Sequence, residues 1–180
     1  MADRRYILGF SRKTHFFARA IQWFTRSDLS HCYVRQVDGG VDYVLEASSH
    51  GVSLQWRSVF LRDGAIVMRE YEVVGVDRDA LDAAWAQVCY QRLNRPYSYL
   101  QILGDAVVIT RKALTGRTTR NPFSQAGADV CSELSLAWIL AIPIGGFDDL
   151  DSDTVAPDEL EDRAKTMPTR FIPQSLDDML

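Results

Sequence analysis

Val130-Cys131-Ser132-Glu133-Leu134 lies near the start of an apolar run that continues to Ile144. Apolar or small residues recur at Cys131, Leu134, Ser135, Trp138, Ile139 and Ile142, the spacing of one buried helical face. Asp129 just ahead is a candidate N-cap, and Pro143 followed by Gly145-Gly146 ends the pattern. Cys131 is therefore expected in the first turn of a largely buried helix. A thiol there meets the positive end of the helix dipole and backbone N–H groups without intrahelical partners. Both favour thiolate over thiol, which makes Cys131 a candidate nucleophile. The competing reading is a small, inert core residue, since free Cys is commonly buried. Asp129 also works against activation, because a neighbouring carboxylate raises a thiol pKa. The helix needs a base from elsewhere in the chain.

That base is sought in a hairpin. Leu29 to Val37 and Val41 to Ala47 are two β-rich runs separated by Asp38-Gly39-Gly40, a strong hairpin signal. With Gly39-Gly40 as a two-residue loop, Asp38 faces Val41, Gln36 faces Tyr43, Val34 faces Leu45 and Tyr33 faces Glu46. Side chains alternate along a strand, so His31 and Tyr33 share a face. Glu46 then falls on that face too, diagonal to His31 at roughly 7–8 Å between Cα atoms, a gap a glutamate spans. A slip of one residue would separate them. The other histidines are weaker candidates: His15 has no acidic neighbour for a proton relay, and His50 lies in a small-residue loop.

The rest of the chain supplies a frame. Tyr6 to Phe10 reads as a short strand. Phe16, Phe17, Ala20, Ile21 and Phe24 follow helical spacing behind Thr14. A further short strand ends near Leu54, and 65–76 reads as one strand or two, with Arg69 and Glu70 as a solvated stretch. Asp77 to Asn94 is the clearest amphipathic helix, with Leu81, Ala84, Trp85, Val88 and Cys89 on one face and Asn94 at its end. Another helix is expected from Leu100 to Leu114, then a polar loop to Ala128. From Phe147 the chain is acidic and thinly apolar, and reads as a solvated peripheral segment with a short helix starting at Pro157. No repeat or second domain is visible, so 1–180 is read as one domain.

Composition bounds the function. A net charge of −4 gives no electrostatic case for nucleic acid or an anionic membrane. Cys32, Cys89 and Cys131 have no metal-ligand spacing and cannot all pair. No metal or cofactor is expected, and a reducing compartment fits better than an oxidising one. No stretch reads as a signal peptide or a transmembrane span, so a cytoplasmic protein is expected, without stable membrane insertion. Oligomeric state is left open.

The sequence thus offers a thiol at a helix start, a histidine opening a strand and a carboxylate on the next strand. The thiol must lose its proton to attack a carbonyl carbon, and imidazole is the base that works near neutral pH. The carboxylate fixes the imidazole tautomer and stabilises its protonated form. The Cys131 backbone N–H would serve as half of an oxyanion hole.

Ser30-His31-Cys32-Tyr33-Val34, then Val44-Leu45-Glu46-Ala47 with Gly51-Val52, then Val130-Cys131-Ser132-Glu133-Leu134 resemble motifs of the circularly permuted branch of the NlpC-type papain-like hydrolases. In that branch the histidine comes early in the chain and the cysteine late. The resemblance spans roughly residues 6–140. Cys32-Tyr33 departs from the usual Val-Gly, a bulkier pair at the expected cleft. The resemblance implies an α+β permuted papain-like fold, an antiparallel sheet packed on helices. It also implies thiol-dependent cleavage or transfer at an amide or ester carbonyl through a thioester. Cys131, His31 and Glu46 are the expected catalytic residues, and Tyr33 and Tyr97 the expected substrate-binding ones. The leading expectation is an amidase or peptidase on a peptide or cell-wall peptide, in a phage or bacterial setting. Acyl transfer or lipid deacylation at the same site, helped by Trp23, Phe24 and Tyr33, is the second. A catalytically silent binding module is the third. Alternation turns Cys32 away from His31, and no direct role is expected for it.

Overall fold

The structure is a computed structural model that describes residues 4–13, 22, 27–98, 104 and 128–175. The helices expected over 14–24 and 100–114, with His15, Trp23 and Phe24, and most of the loop to Ala128, lie outside the described residues.

The hairpin sets the sheet. β2 (His31–Asp38) and β3 (Val41–Ser48) are joined by Gly39 and Gly40 at φ 55° and 94°, the left-handed conformation that a two-residue mirror-image turn requires. Asp38 pairs with Val41, Gln36 with Tyr43 and Val34 with Leu45, the register expected from the loop. The ladder ends there, and the first three residues of β2 pair with β1 (Arg5–Arg12) through Ser11–His31, Phe10–Cys32 and Gly9–Tyr33. Gly9 makes this approach close: a Cβ on it would fall within the Tyr33 ring.

β4 (Gly51–Trp56) pairs with β3, and β5 (Ile66–Val73) pairs with β1. β6 (Phe171–Pro173) closes the other side, giving an antiparallel order β4-β3-β2-β1-β5-β6. The chain is therefore α+β, with an open six-stranded antiparallel sheet.

Alternation divides the sheet into two faces. Cys32, Val34, Leu45 and Ala47 belong to the main core, beneath α3 (Cys131–Ala141) and α2 (Arg78–Arg92). Leu134, Leu136, Trp138 and Ile139 of α3 are all buried. A helix apolar on every side belongs between two layers, and α3 packs on both the sheet and α2. α2 buries the expected Leu81, Ala84, Trp85 and Val88, and Asn94 just past its end stands at φ 65°.

The opposite face carries Tyr33 and Val44 against Phe60 of α1 (Arg57–Arg62). Six residues are too few for a helical period to show in the sequence, which is why α1 was not anticipated. On this face the expected solvated stretch is corrected. Glu70 is 1% exposed and accepts hydrogen bonds from Tyr33 Oη at 2.6 Å, Arg57 Nη1 at 2.6 Å and Arg35 Nη1 at 2.7 Å. Arg35 also grips Asp42 through two bonds of 2.8 Å. Sequence alternation alone does not separate a buried charge from a solvated one, because its partners come from two other elements, β2 and α1.

The C-terminal segment is likewise not peripheral. α4 (Pro157–Lys165) starts at Pro157 as expected, but Phe147, Val155, Leu160, Ala164 and Phe171 are core residues, and β6 is an integral strand. Its apolar residues are too widely spaced to stand out among the acidic ones. Buried Glu161 accepts a bond from Tyr71 Oη at 2.9 Å and pairs with Arg69 at 3.2 Å.

Glu70→Ala would take from two buried guanidinium groups the carboxylate they share, leaving Asp42 to meet both charges. A loss of about 3–5 kcal/mol is expected in urea unfolding, against near-zero change for a substitution at exposed Tyr90.

Candidate active site

His31 stands where β2 leaves its pairing with β3. Its backbone is held by β1, and Ser30 N–H next to it donates to Ser11 O at 3.1 Å. The ring lies on Phe60 with centroids 6.2 Å apart and 29° between planes. Nε2 meets Glu46 Oε2 at 2.6 Å. Both residues are almost completely buried.

Glu46 is bound at both oxygens. Oε2 also accepts from Lys13 Nζ at 3.0 Å, and Oε1 accepts from Gln55 Nε2 at 2.6 Å. Lys13 lies 5.6 Å from the Phe60 ring centroid, so one aromatic ring supports both the imidazole and the ammonium. Burial alone would raise the Glu46 carboxyl, but His31 and then Lys13 outweigh it and hold the group down at about 2.

Cys131 is the first residue of α3, and no side chain caps that helix. Val130, not Asp129, is the N-cap residue. Asp129 is turned away into ion pairs with Arg92 and, at 3.8 Å, with Arg95. The carboxylate expected to oppose thiolate formation is thereby neutralised. The Cys131 thiol faces both His31 and the Cys32 thiol. Nε2 of His31 is taken by Glu46, which leaves Nδ1 for the sulfur.

The charges follow from these contacts. The Cys32 thiol stabilises the Cys131 thiolate, burial opposes it, and His31 adds its own charge and hydrogen bond; the Cys131 pKa falls well below that of a free thiol. Burial favours neutral His31, but the Cys131 sulfur and then Glu46 raise it to about 9. Cys32 moves the other way: burial, then the adjacent Cys131, push it well above the ordinary range. Both shifts run in the direction of a thiolate–imidazolium pair.

The three residues read from sequence as catalytic thus meet at one place. Tyr33 does not lie in a cleft: it is fully buried, with its hydroxyl committed to Glu70. This corrects its expected substrate-binding position. Tyr97 is half-buried against the core and forms a parallel bridge with Asp129. Asp129 N–H donates to Pro96 O at 3.1 Å and Ser98 N–H to Asp129 O at 3.3 Å. Tyr97 therefore belongs to a clamp that fixes the approach to Cys131. His50 is exposed and contacts Ser49 at 3.3 Å.

Three residues of the site escaped the sequence reading. Gln55 was within reach, since Val44 pairs with Gln55 and Glu46 with Ser53, which makes Gln55 the diagonal neighbour of Glu46. Lys13 depends on the β1–β2 register, for which the sequence carries no turn signal. Cys32 was misjudged: the alternation that turns it from His31 turns it toward α3. A groove of about 310 Å³ between α2 and α3, lined in part by Gln87, Gln91, Glu133 and Leu140, contains none of Cys131, His31 and Glu46.

No family model matches the chain, and neither does any curated protein. Among the described residues, no helix is long and apolar enough to cross a membrane.

The two thiol environments are separable by alkylation. At pH 7 iodoacetamide should modify Cys131 roughly tenfold or more faster than Cys89, whose thiol burial raises to about 11. His31→Ala should remove most of that advantage. Peptide mapping after timed labelling measures both rates.

Proposed function

We propose that this chain is a thiol-dependent hydrolase of the circularly permuted papain-like type, acting on an amide of a peptide or cell-wall peptide. The observation that carries the reading is the convergence of a buried thiol at a helix start, a buried imidazole and the buried carboxylate bonded to it, from three separate elements. Structural ion pairs also perturb pKa values, but a thiolate at the uncapped start of a helix stabilises nothing that a neutral small residue would not.

In the first half-reaction the Cys131 thiolate attacks the carbonyl carbon. The oxygen takes the negative charge and is met by the Cys131 backbone N–H at the start of α3. His31 gives its Nδ1 proton to the leaving nitrogen as the C–N bond breaks, leaving a thioester on Cys131. Neutral His31 then takes a proton from water, whose oxygen attacks the thioester and expels the thiolate. Glu46 stays ionised throughout and holds the ring by Nε2. Lys13 and Gln55 keep Glu46 from turning away. The order of residues along the chain, His31 and Glu46 before Cys131, supports the permuted type, as do the antiparallel sheet and the buried helix behind the thiol.

Two tests apply, on hydrolysis of a peptide or peptidoglycan-fragment library. Cys131→Ala and His31→Ala should each abolish turnover with the circular dichroism spectrum unchanged; turnover retained in either sinks the assignment. Glu46→Gln should keep a residue of activity, down roughly 10²–10⁴-fold. The pH profile should rise as Cys131 ionises and fall as His31 loses its proton near pH 9, since the leaving group then finds no acid. A profile that keeps rising beyond that pH contradicts the imidazolium role.

A further inference from the structure

Cys32 has no step in the cleavage scheme, yet it sits in the same buried core cluster as Cys131. It lies on β2, the strand on which α3 packs, closely enough that the Cys131 sulfur adds to the rise burial gives the Cys32 thiol. Both are free thiols, and both are buried. Ser135, one turn further along α3, is buried in the same helix. The third cysteine, Cys89, lies on α2, and among the described residues only burial shifts its thiol.

This arrangement joins a reactive sulfur to a quiet one. A thiolate reacts with hydroperoxides, and the product, a sulfenic acid, condenses with any thiol within reach. A low-pKa sulfur next to a resolving cysteine is the usual composition of a redox-sensitive site. The resolving thiol needs contact with the sulfenic acid more than it needs its own acidity, because the pair is already intramolecular.

We infer that Cys131 and Cys32 form a reversible oxidative modification site, in which a hydroperoxide converts the nucleophile to a disulfide with its strand neighbour. The inference rests on the reactive Cys131 of the proposed function. In the first step the Cys131 thiolate attacks the terminal peroxide oxygen; the O–O bond breaks, sulfur is oxidised to the sulfenic acid, and the hydroperoxide is reduced to an alcohol, or to water when it is hydrogen peroxide. In the second, the Cys32 sulfur attacks the Cys131 sulfur, the S–O bond breaks and water leaves with the Cys32 proton. A dithiol reductant reverses the result by exchange. The disulfide removes the nucleophile from use and shields it from irreversible oxidation to sulfinic and sulfonic acids.

The test is hydrogen peroxide treatment of the intact protein, with alkylation and peptide mapping before and after dithiothreitol. A peptide joining Cys32 to Cys131, two hydrogens lighter than its parts, is expected, and both thiols should return on reduction. Cys32→Ser should instead accumulate sulfinic and sulfonic acid at Cys131 that dithiothreitol does not reverse. Wild-type protein that goes straight to those acids, with Cys32 still open to alkylation, overturns the inference. Alkylation of untreated protein separates the two failures. If Cys131 labels fast but no disulfide forms, only the redox inference falls. If Cys131 labels no faster than Cys89 and resists peroxide, the hydrolase reading falls with it.

Discussion

A carboxylate removed from water must have its charge met inside the protein, and that requirement organises this molecule around Glu46. Three donors converge on it, from β1's continuation at Lys13, from the start of β2 at His31, and from β4 at Gln55. Each can reach it only if the strand order β4-β3-β2-β1 and its registers are kept. The imidazole is then fixed by its Nε2, which leaves its other nitrogen for the Cys131 sulfur. The geometry of the thiol site is thus a consequence of satisfying one buried charge.

The sheet separates two kinds of interior. Under α2 and α3 it is aliphatic and aromatic, with the Cys32 and Cys131 thiols among its buried side chains. Under α1 it holds a second charged cluster, where Glu70 joins Tyr33, Arg35 and Arg57. Phe60 links the two clusters, since its ring touches both Tyr33, at 4.6 Å between centroids, and His31. Neutralised clusters of this kind are weak contributors to net stability, but each fixes one arrangement of its strands, because any other leaves charges unpaired.

What was legible in the sequence follows the range of each signal. The Gly39-Gly40 turn is local and dictates a register, so the approach of Glu46 to His31 could be read from the chain directly. The start of α3 could be read from helical spacing, though the N-cap could not, because Asp129 is drawn to Arg92 by tertiary contacts. Asp129, Glu70 and Glu161 are all acidic residues whose partners come from remote elements, and for all three the sequence pointed the wrong way or not at all. The same holds for β6, three residues long and recognisable only as the partner of β5. Lys13 joined the site through a strand pairing with no turn to announce it.

The order of the site's parts along the chain has a consequence for how the molecule is made. The hairpin that carries His31 and Glu46 closes on itself within a few residues, so it is a local structure with little entropy to lose on closure. Cys131 is far downstream, and α3 has no buried surface to lie on until β1 to β3 are in place. During synthesis His31 and Glu46 can therefore pair first, and Cys131 joins them only when α3 docks on the sheet. A chain assembled in this order brings thiol and imidazole together only once β2 and β3 have formed.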